Sequence, residues 1–545
     1  MNDEIRVSGV ILDPIKKIKI SGIIKINNGK ITGIEEDEDI KQPFILPGFV
    51  DSHIHIESSM LTPVEFSKTA KRHGTIAVVA DPHEIANVAG IKGVDFMIEN
   101  SKKGEIKFYF GAPSCVPASP FDTCYEILDS SKIESLLERE DIYFLGEMMN
   151  FPGVVNSSPD VIKKIEASKK FNKPIDGHAP GLSEEMLNKY VNSGISTDHE
   201  CFTLDEAVEK IQLGMKILIR EGSAAKNFNS LHPLIKMYPK MTMLCTDDCH
   251  PDDLMQGHIN KQVKRSLDIG YNIFDILQVA SVNPIKHYNL DLGLLQIGDY
   301  ADFIVVDNLE NFNVTENYIR GVDILKENKN TTSINNDEKE LEYLFTKEIN
   351  ENEIKIFPKS NKLKAIQIIE GELVTEIIDY NALIENENII SDIHNDFLKI
   401  VVVNRYDKNE INVAFIKGFG IKTGAIAESI THDSHHIIAV GADDKSLYEA
   451  INYVIRNKGG LCYYNGKEMY GLPLPVYGLM GKEETKLIGE KYQKINNKVI
   501  EAGCKIKAPF MTLSFMALTV IPKLKITPKG LFDVIKFDYV DQFYK

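Results

Sequence analysis

The chain has 545 residues, a formal net charge of −17, and a hydrophobic fraction of 43%. The length predicts about three or four domains, and the hydrophobic fraction is typical of a soluble globular protein. The acidic balance argues against nucleic acid or an anionic membrane as the main partner, because both bind basic surfaces.

The cysteines and apolar segments indicate the compartment. Seven cysteines occur at irregular spacing without a Cys-x-x-Cys pair, which favours a reducing environment over a disulfide framework. The N-terminal sequence MNDEIRVSGVILDP is acidic and lacks the apolar segment of a signal peptide. The longest apolar run, residues 508–522, is shorter than the roughly 20 residues that cross a bilayer. We therefore predict a cytoplasmic protein that does not enter a membrane.

Two β-rich stretches lie far apart in the chain. Short β-like runs separated by Gly and Asn-Asn-Gly turns fill the first 43 residues, and a similar run appears in residues 293–314. We expect both stretches to form one small β-sandwich domain, residues 1–43 plus 291–325, with another domain inserted between them.

The inserted block, residues 44–290, alternates short apolar strands with amphipathic stretches of helical length. We identify eight candidate strands: FILPGFVDSHIH, TIAVVADPHE, KFYFGAPS, IYFLGEMMN, PIDGHAP, ISTDHE, MKILIREGS and MTMLCTDD. Strand–helix alternation of this length is the rhythm of a (β/α)₈ barrel of the TIM type. Residues 326–339 are polar and unpatterned, so we predict a linker over residues 326–344. Residues 345–545 predict a separate C-terminal domain of the α/β or α+β class.

Polar residues end all eight candidate strands. His53 and His55 end the first strand and share one face, because residues two apart point the same way on a strand. The other strand ends carry Asp81, His83 and Glu84; Ser114; Glu147; His178; Asp198, His199 and Glu200; Arg220 and Glu221; Asp247 and Asp248. The carboxyl ends of barrel strands converge on one mouth, where active sites lie.

Six of these residues form a candidate metal-ligand set: His53, His55, Glu147, His178, His199 and Asp247. Four imidazoles and two carboxylates suit two divalent ions with Glu147 as the bridge. Such a pair binds a hydroxide between the ions and lowers the pKa of water towards neutrality. The mixed nitrogen and oxygen ligands fit manganese, iron or zinc.

Several motifs resemble the adenine deaminase family of the amidohydrolase superfamily. They are GFVDSHIHIESSMLTP, DPHEIANVAG, GEMMNFPGVV, DGHAPGL, TDHE, REGSAA, CTDD, HDSHHIIAVGADD and GLPLPVYGLM, in the family's order. The resemblance implies hydrolysis of adenine to hypoxanthine and ammonia in purine salvage, a binuclear manganese or iron site, and a homodimer. Glu147 stands where many amidohydrolases carry a carboxylated lysine. Two positions depart from the pattern: His436 replaces an expected Asn, and Cys249-His250 replaces an expected Arg.

Two carboxylates are candidate catalytic residues. Asp247 would take a proton from the hydroxide and deliver it to the leaving nitrogen, and the alternative is a helix N-cap. Glu84, together with His83, would protonate the purine ring, hold an extra metal, or form a salt bridge.

Four residues are candidate substrate contacts: Asp248, Ser114, Arg220 and Glu221. Asp248 would bind a purine ring nitrogen or cap the next helix. Arg220 and Glu221 would contact the purine or pair with each other. The cluster from His432 to His436 has three interpretations: a lid, a separate metal site, or a solvated loop.

Two other functions remain open at this point. A cyclic-amide amidohydrolase of the dihydroorotase type usually carries lysine at the position of Glu147. A non-catalytic binding protein on the same barrel would have lost a metal ligand, and all six candidates are present in this sequence.

Overall fold

The computed structural model describes residues 4–223, 225–326, 343–369, 372–406 and 410–544. Most of the predicted linker, residues 326–344, lies outside these ranges. The chain divides into two compact units: the first contains Met1–Pro82, Phe96–Cys115 and Leu128–Ser333, and the second contains His83–Asp95, Val116–Ile127 and Ile334–Lys545. The second unit thus takes in two short segments from the block predicted as the barrel, and the domain boundaries stay a prediction. Among the described residues, no helix has both the length and the apolar character to span a bilayer.

Fifteen strands of the described residues belong to the first unit. In chain order they are β1 (Ile5–Asp13), β2 (Ile18–Asn27), β3 (Lys30–Glu36), β4 (Phe44–Pro47), β5 (Phe49–Ile54), β6 (Thr75–Ala80), β7 (Lys107–Ala112), β8 (Ile142–Met148), β9 (Ile175–Gly177), β10 (Thr197–Asp198), β11 (Lys216–Arg220), β12 (Thr242–Cys245), β13 (Phe303–Val306), β14 (Val314–Ile319) and β15 (Val322–Asp323).

Strands from both flanks of the barrel block form one sheet. Its order is β15-β14-β13-β4-β1-β2-β3, and all its pairs are antiparallel except β1 with β4. The first predicted barrel strand is therefore split. Its residues 44–47 join this sheet as β4, and only the part after Gly48 enters the barrel as β5.

Strands β5 to β12 form the predicted (β/α)₈ barrel. Strands β5 to β9 and β10 to β12 pair in parallel within their two groups. A bond from Ser196 N to Ile175 O joins the two groups. The circle closes where His55 N donates to Asp247 O and Asp247 N donates to His53 O. The inner strands are continuous apolar runs, such as the fully buried TIAVVA of β6, because both faces of a parallel sheet are covered.

The helices of the barrel block follow the strands in alternation. They are α1 (Pro63–Ala70), α2 (His83–Ser101), α3 (Ser130–Leu137), α4 (Phe151–Val155), α5 (Pro159–Lys170), α6 (Glu184–Asn192), α7 (Leu204–Gln212), α8 (Phe228–Leu231), α9 (Leu234–Met237), α10 (Pro251–Gln256), α11 (Ile259–Ile269), α12 (Ile273–Leu277) and α13 (Asn283–His287). Helix α2 kinks at Gly90, and its first part belongs to the second unit. Proline at the first turn of α1 and α5 fits helix starts, where its missing N–H costs nothing.

The C-terminal part of the second unit is a β-rich domain. Its strands are β16 (Lys362–Ile368), β17 (Thr375–Asn381), β18 (Ile384–Glu385), β19 (Asn388–Ile389), β20 (Phe397–Val403), β21 (Ile411–Lys417), β22 (Ala425–Glu428), β23 (Ile437–Gly441), β24 (Gly460–Tyr464), β25 (Met469–Pro473), β26 (Leu524–Thr527), β27 (Gly530–Asp533) and β28 (Asp538–Val540). Its helices are α14 (Asp444–Arg456), α15 (Thr485–Glu501) and α16 (Pro509–Ser514).

An eight-stranded sheet organises this domain, in the order β17-β16-β21-β20-β23-β22-β24-β25. Only β16 and β21 pair in parallel, so of the two predicted classes the α+β description applies. The buried face of α14, which includes Leu447, Ile451 and Val454, shares one hydrophobic core with this sheet.

Candidate metal centre

Four histidines meet at the carboxyl ends of the barrel strands. His53 and His55, at the end of β5, are buried, and their Nε2 atoms lie 3.2 Å apart. The His53 ring stacks on His199 at 4.1 Å between centroids, and His199 meets His178 edge to face at 5.3 Å. The imidazoles of His53 and His55 therefore lie side by side, as their two-residue spacing on a strand predicts.

Glu147 divides its two carboxylate oxygens between two pairs of histidines. Its Oε1 lies 3.2 Å from His55 Nε2 and 3.9 Å from His53 Nε2. Its Oε2 lies 2.6 Å from His178 Nδ1 and 3.2 Å from His199 Nε2. A carboxylate that offers one oxygen to each pair has the arrangement of a bridge between two cations.

Asp247 completes the cluster from the residues after β12. Its Oδ1 lies 3.1 Å from His55 Nε2 and 3.5 Å from His53 Nε2. Its backbone is left-handed, with φ of 59°, a conformation that aspartate adopts more readily than most residues. His53, His199 and Asp247 form one group of potential ligands, and Glu147, His178 and His199 form another.

Comparison with known proteins gives the family. Residues 44–324 match the sequence pattern of the Amidohydrolase family, and residues 372–538 match that of the adenine deaminase C-terminal domain. The chain is 47% identical to an adenine deaminase of Methanosarcina mazei, covering 98% of this chain and 99% of the relative. It is 48% identical to one of Methanosarcina barkeri, covering 98% of each, and 45% identical to one of Borreliella burgdorferi, covering 99% of this chain and all of the relative.

This chain belongs to the adenine deaminase family. The resemblance inferred from its motifs is thereby confirmed. Membership of the amidohydrolase superfamily implies a divalent metal, and the buried imidazoles and carboxylates at the barrel mouth are chemically suited to hold it. Which residues are ligands and which metal they bind remain predictions.

The two carboxylates predicted as ligands are held ionised. Burial raises the pKa of the Glu147 carboxyl, but the charges of His178 and His199 and their hydrogen bonds outweigh burial and hold the pKa well below its ordinary value. Burial likewise raises the pKa of Asp247, but the charge of the Arg220 guanidinium and hydrogen bonds from His53 and His55 outweigh burial and hold the pKa well below its ordinary value. Both carboxylates therefore carry a negative charge at neutral pH, as metal ligands must.

Arg220 is engaged by two carboxylates. Its Nη1 donates to Asp247 Oδ2 at 2.6 Å and also contacts Glu200, and its Nη2 donates to Glu200 Oε2 at 3.2 Å. The guanidinium is buried, and the carboxylates raise its pKa further against the effect of burial. Arg220 and Glu221 do not pair with each other in these contacts, because Glu221 accepts instead from Arg265 at 2.6 Å.

Two other predicted substrate residues also hold protein contacts. Ser114 Oγ donates to the carbonyl oxygen of Glu147 at 2.5 Å. Asp248 Oδ1 accepts from Ser58 Oγ at 2.5 Å. These two hydrogen bonds hold neighbouring segments of the chain together. The role of Ser114 and Asp248 in binding substrate stays a prediction. Glu84 lies in the second unit, where it contacts His432 and His435.

Two supporting residues, Asp51 and Asp81, had no role assigned to them from the sequence. Asp51 accepts from the backbone N–H of His53 at 3.3 Å and of Thr246 at 3.1 Å, and so connects the backbone at His53 to the residue before Asp247. Asp81 Oδ2 accepts from Glu147 N at 2.8 Å. The position of Asp51 could have been predicted from the sequence, because it precedes His53 by two residues and therefore lies on the same face of the strand.

Proposed function

We propose that this chain is an adenine deaminase that hydrolyses adenine to hypoxanthine and ammonia. The observation that carries the proposal is that the two carboxylate oxygens of Glu147 each lie against a different pair of histidines. Relatives named adenine deaminase, 45–48% identical over nearly the whole chain, support it. The six ligands would be His53, His55, Glu147, His178, His199 and Asp247, holding two divalent ions, with manganese preferred to iron or zinc. When bound, such a pair lowers the pKa of water and polarises the substrate.

Asp247 is the proposed proton carrier. Arg220 occupies its Oδ2, whereas Oδ1 faces His53 and His55. Because the guanidinium stabilises the ionised carboxylate, Asp247 is in its base form at neutral pH, and its Oδ1 would take a proton from the attacking water and pass it to the departing nitrogen. Asp248, Ser114 and Glu221 would contact the purine around it, while Arg220 would act by orienting Asp247. A catalytic role for Glu84 is less well supported, since its contacts favour the metal-ligand alternative.

The test combines metal analysis with product analysis. The wild-type protein, loaded with Mn²⁺, should release ammonia from adenine and change its ultraviolet absorbance. Glu147→Gln should lose metal and lower kcat/KM by at least about a hundredfold, because a neutral amide is a poor bridge. Glu65→Gln is the matched control, since Glu65 is also buried in the first unit but pairs with Lys68.

Two outcomes would refute the assignment. Full metal content and activity in Glu147→Gln would exclude the bridging role. Turnover of dihydroorotate without turnover of adenine would favour the cyclic-amide hydrolase instead.

We also propose a homodimer in the cytoplasm. The seven cysteines all lie within the described residues and form no disulfide there, which suits a reducing compartment. Sedimentation equilibrium of the metal-loaded protein would test the dimer, and a monomer at micromolar concentration would refute it.

A further inference from the structure

A second group of potential ligands lies within the second unit. His83 and Glu84 begin α2, and His432, Asp433 and His435 lie in the loop between β22 and β23. All five side chains are buried, with Glu84 only 1% exposed and His435 only 2%. The interpretation of this loop as solvated is therefore wrong.

The donor atoms of this group converge. Glu84 contacts His432 through Oε1 and His435 through Oε2. His83 Nε2 lies 3.8 Å from Glu84 Oε1 and 3.9 Å from Asp433 Oδ1, and His432 Nδ1 also lies 3.9 Å from Asp433 Oδ1. Two donors that each lie about 2.1 Å from one ion are at most about 4.2 Å apart. These separations therefore fit a single cation.

Charge gives a second reason. The ion pairs of Glu84 among the described residues are all with histidines of the same group. The nearby Arg405 directs its guanidinium to the carbonyl oxygens of His435 and Tyr477. A buried carboxylate is costly without a full positive charge, and Asp433 adds a second acid to the group. A divalent cation would balance both carboxylates.

The surrounding contacts hold the two segments in place. Tyr406 Oη donates to Ser434 O at 2.8 Å and to Asn87 O at 3.1 Å, so one hydroxyl connects the loop to α2. The His432 ring stacks on Phe515 at 4.8 Å. His436 is used elsewhere, because its Nε2 lies 2.7 Å from Thr123 Oγ1. Ligands oriented by neighbouring groups are a common property of metal sites.

We propose that His83, Glu84, His432, Asp433 and His435 bind a further divalent transition-metal ion. Three imidazoles and two carboxylates suit Mn²⁺, Fe²⁺ or Zn²⁺. The ion would hold the loop between β22 and β23 to the start of α2. The proposal does not rest on the proposed deaminase reaction, because it predicts one ion more than the first unit's ligand set would hold.

The experiment counts metal per chain. The full-length protein is stripped with a chelator, reloaded with Mn²⁺, passed through gel filtration and analysed by mass spectrometry of the metal. We expect three ions in the wild type, two in His435→Gln and one in Glu147→Gln. His394→Gln is the matched control with three ions, because His394 is an exposed histidine of the same unit.

The outcomes separate the two proposals. Equal counts in the wild type and His435→Gln overturn the further site, even if the barrel binds two ions and deaminates adenine. If His435→Gln does not fold, the number of ions per chain is compared between Glu147→Gln and the double variant Glu147→Gln/His432→Gln. One ion in the single variant and none in the double variant supports the further site. Equal numbers of ions in these two variants overturn it.

Discussion

Arg220 donates a hydrogen bond from Nη1 to Oδ2 of Asp247 at 2.6 Å, and both side chains are buried. The guanidinium contributes to the low pKa of the Asp247 carboxyl, against the opposing effect of burial. The arrangement leaves Oδ1 of Asp247 towards His53 and His55. We therefore propose that Arg220 orients the proposed proton carrier and does not contact the substrate.

Arg220→Met should shift the pH dependence of activity. Without the cation the pKa of Asp247 rises, so more of the carboxyl is protonated and inactive at a given acidic pH. The acidic limb of kcat/KM should move up by roughly one to three pH units, and Arg220→Lys should partly restore it. Arg6→Met is the control, since Arg6 is an exposed arginine of the same unit and pairs with the exposed Glu35. An unchanged acidic limb in Arg220→Met would contradict this positioning role.

Asp51→Asn should weaken metal binding without removing a proposed ligand. Asp51 holds the backbone N–H of His53 and of Thr246, the residues at both sides of the barrel closure. Loss of such support typically lowers metal affinity by about 10- to 100-fold. Competition with a chelator measures the effect. Asp302→Asn, at a buried aspartate that binds the backbone of Gly293 and Arg320, should leave the affinity unchanged.

The barrel could be predicted from the sequence because the patterns that indicate it lie within short segments of the chain. Each apolar run is short, each ends in polar residues, and the two-residue period alone places His53 and His55 together. The split of the first predicted strand was missed because Gly48 gives no sign of two strands. A β carbon there would collide with Ile76, so the chain is constrained by a tertiary contact that the local pattern does not contain.

Long-range contacts also explain what the sequence left open. Nothing in the pattern of residues 83–95 or 116–127 distinguishes them from the barrel block, and yet both belong to the second unit. The three interpretations of residues 432–436 could not be separated for the same reason. Burial of His432 and His435 against Glu84, which is about 350 residues away in sequence, decides against a solvated loop.

Gly146→Ala should disturb Glu147 from the neighbouring position in β8. A β carbon at residue 146 would collide with the carboxylate of Asp81, which accepts the hydrogen bond from Glu147 N. Displacement of Asp81 should misplace Glu147 and lower kcat/KM by about a hundredfold. Gly33→Ala is the control, because a β carbon added there would have no atom within 4 Å. Wild-type activity and metal content in Gly146→Ala would show that the contact with Asp81 is dispensable.

Lys525 makes stability depend on pH within the second unit. Burial lowers the pKa of its ammonium to about 7, and its Nζ donates to the carbonyl oxygens of Leu373 and Phe515, each at 3.0 Å. In the unfolded chain the pKa is about 10.4. Between these values the unfolded state binds more protons than the folded state, so the free energy of unfolding should rise as the pH increases from about 7 to 10.

Lys525→Met should remove this pH dependence. The variant has no amine to protonate, so its free energy of unfolding should stay nearly constant between pH 7 and 10, whereas that of the wild type should rise by several kcal/mol. At pH 7 the variant also loses the hydrogen bonds from the ammonium to two carbonyl oxygens, which offsets part of the stability gained by removing a buried amine. Urea unfolding at several pH values measures the slope. Lys523→Met, at an exposed lysine paired with Glu376, should keep the wild-type slope. A wild-type slope in Lys525→Met as well would mean that another group is responsible.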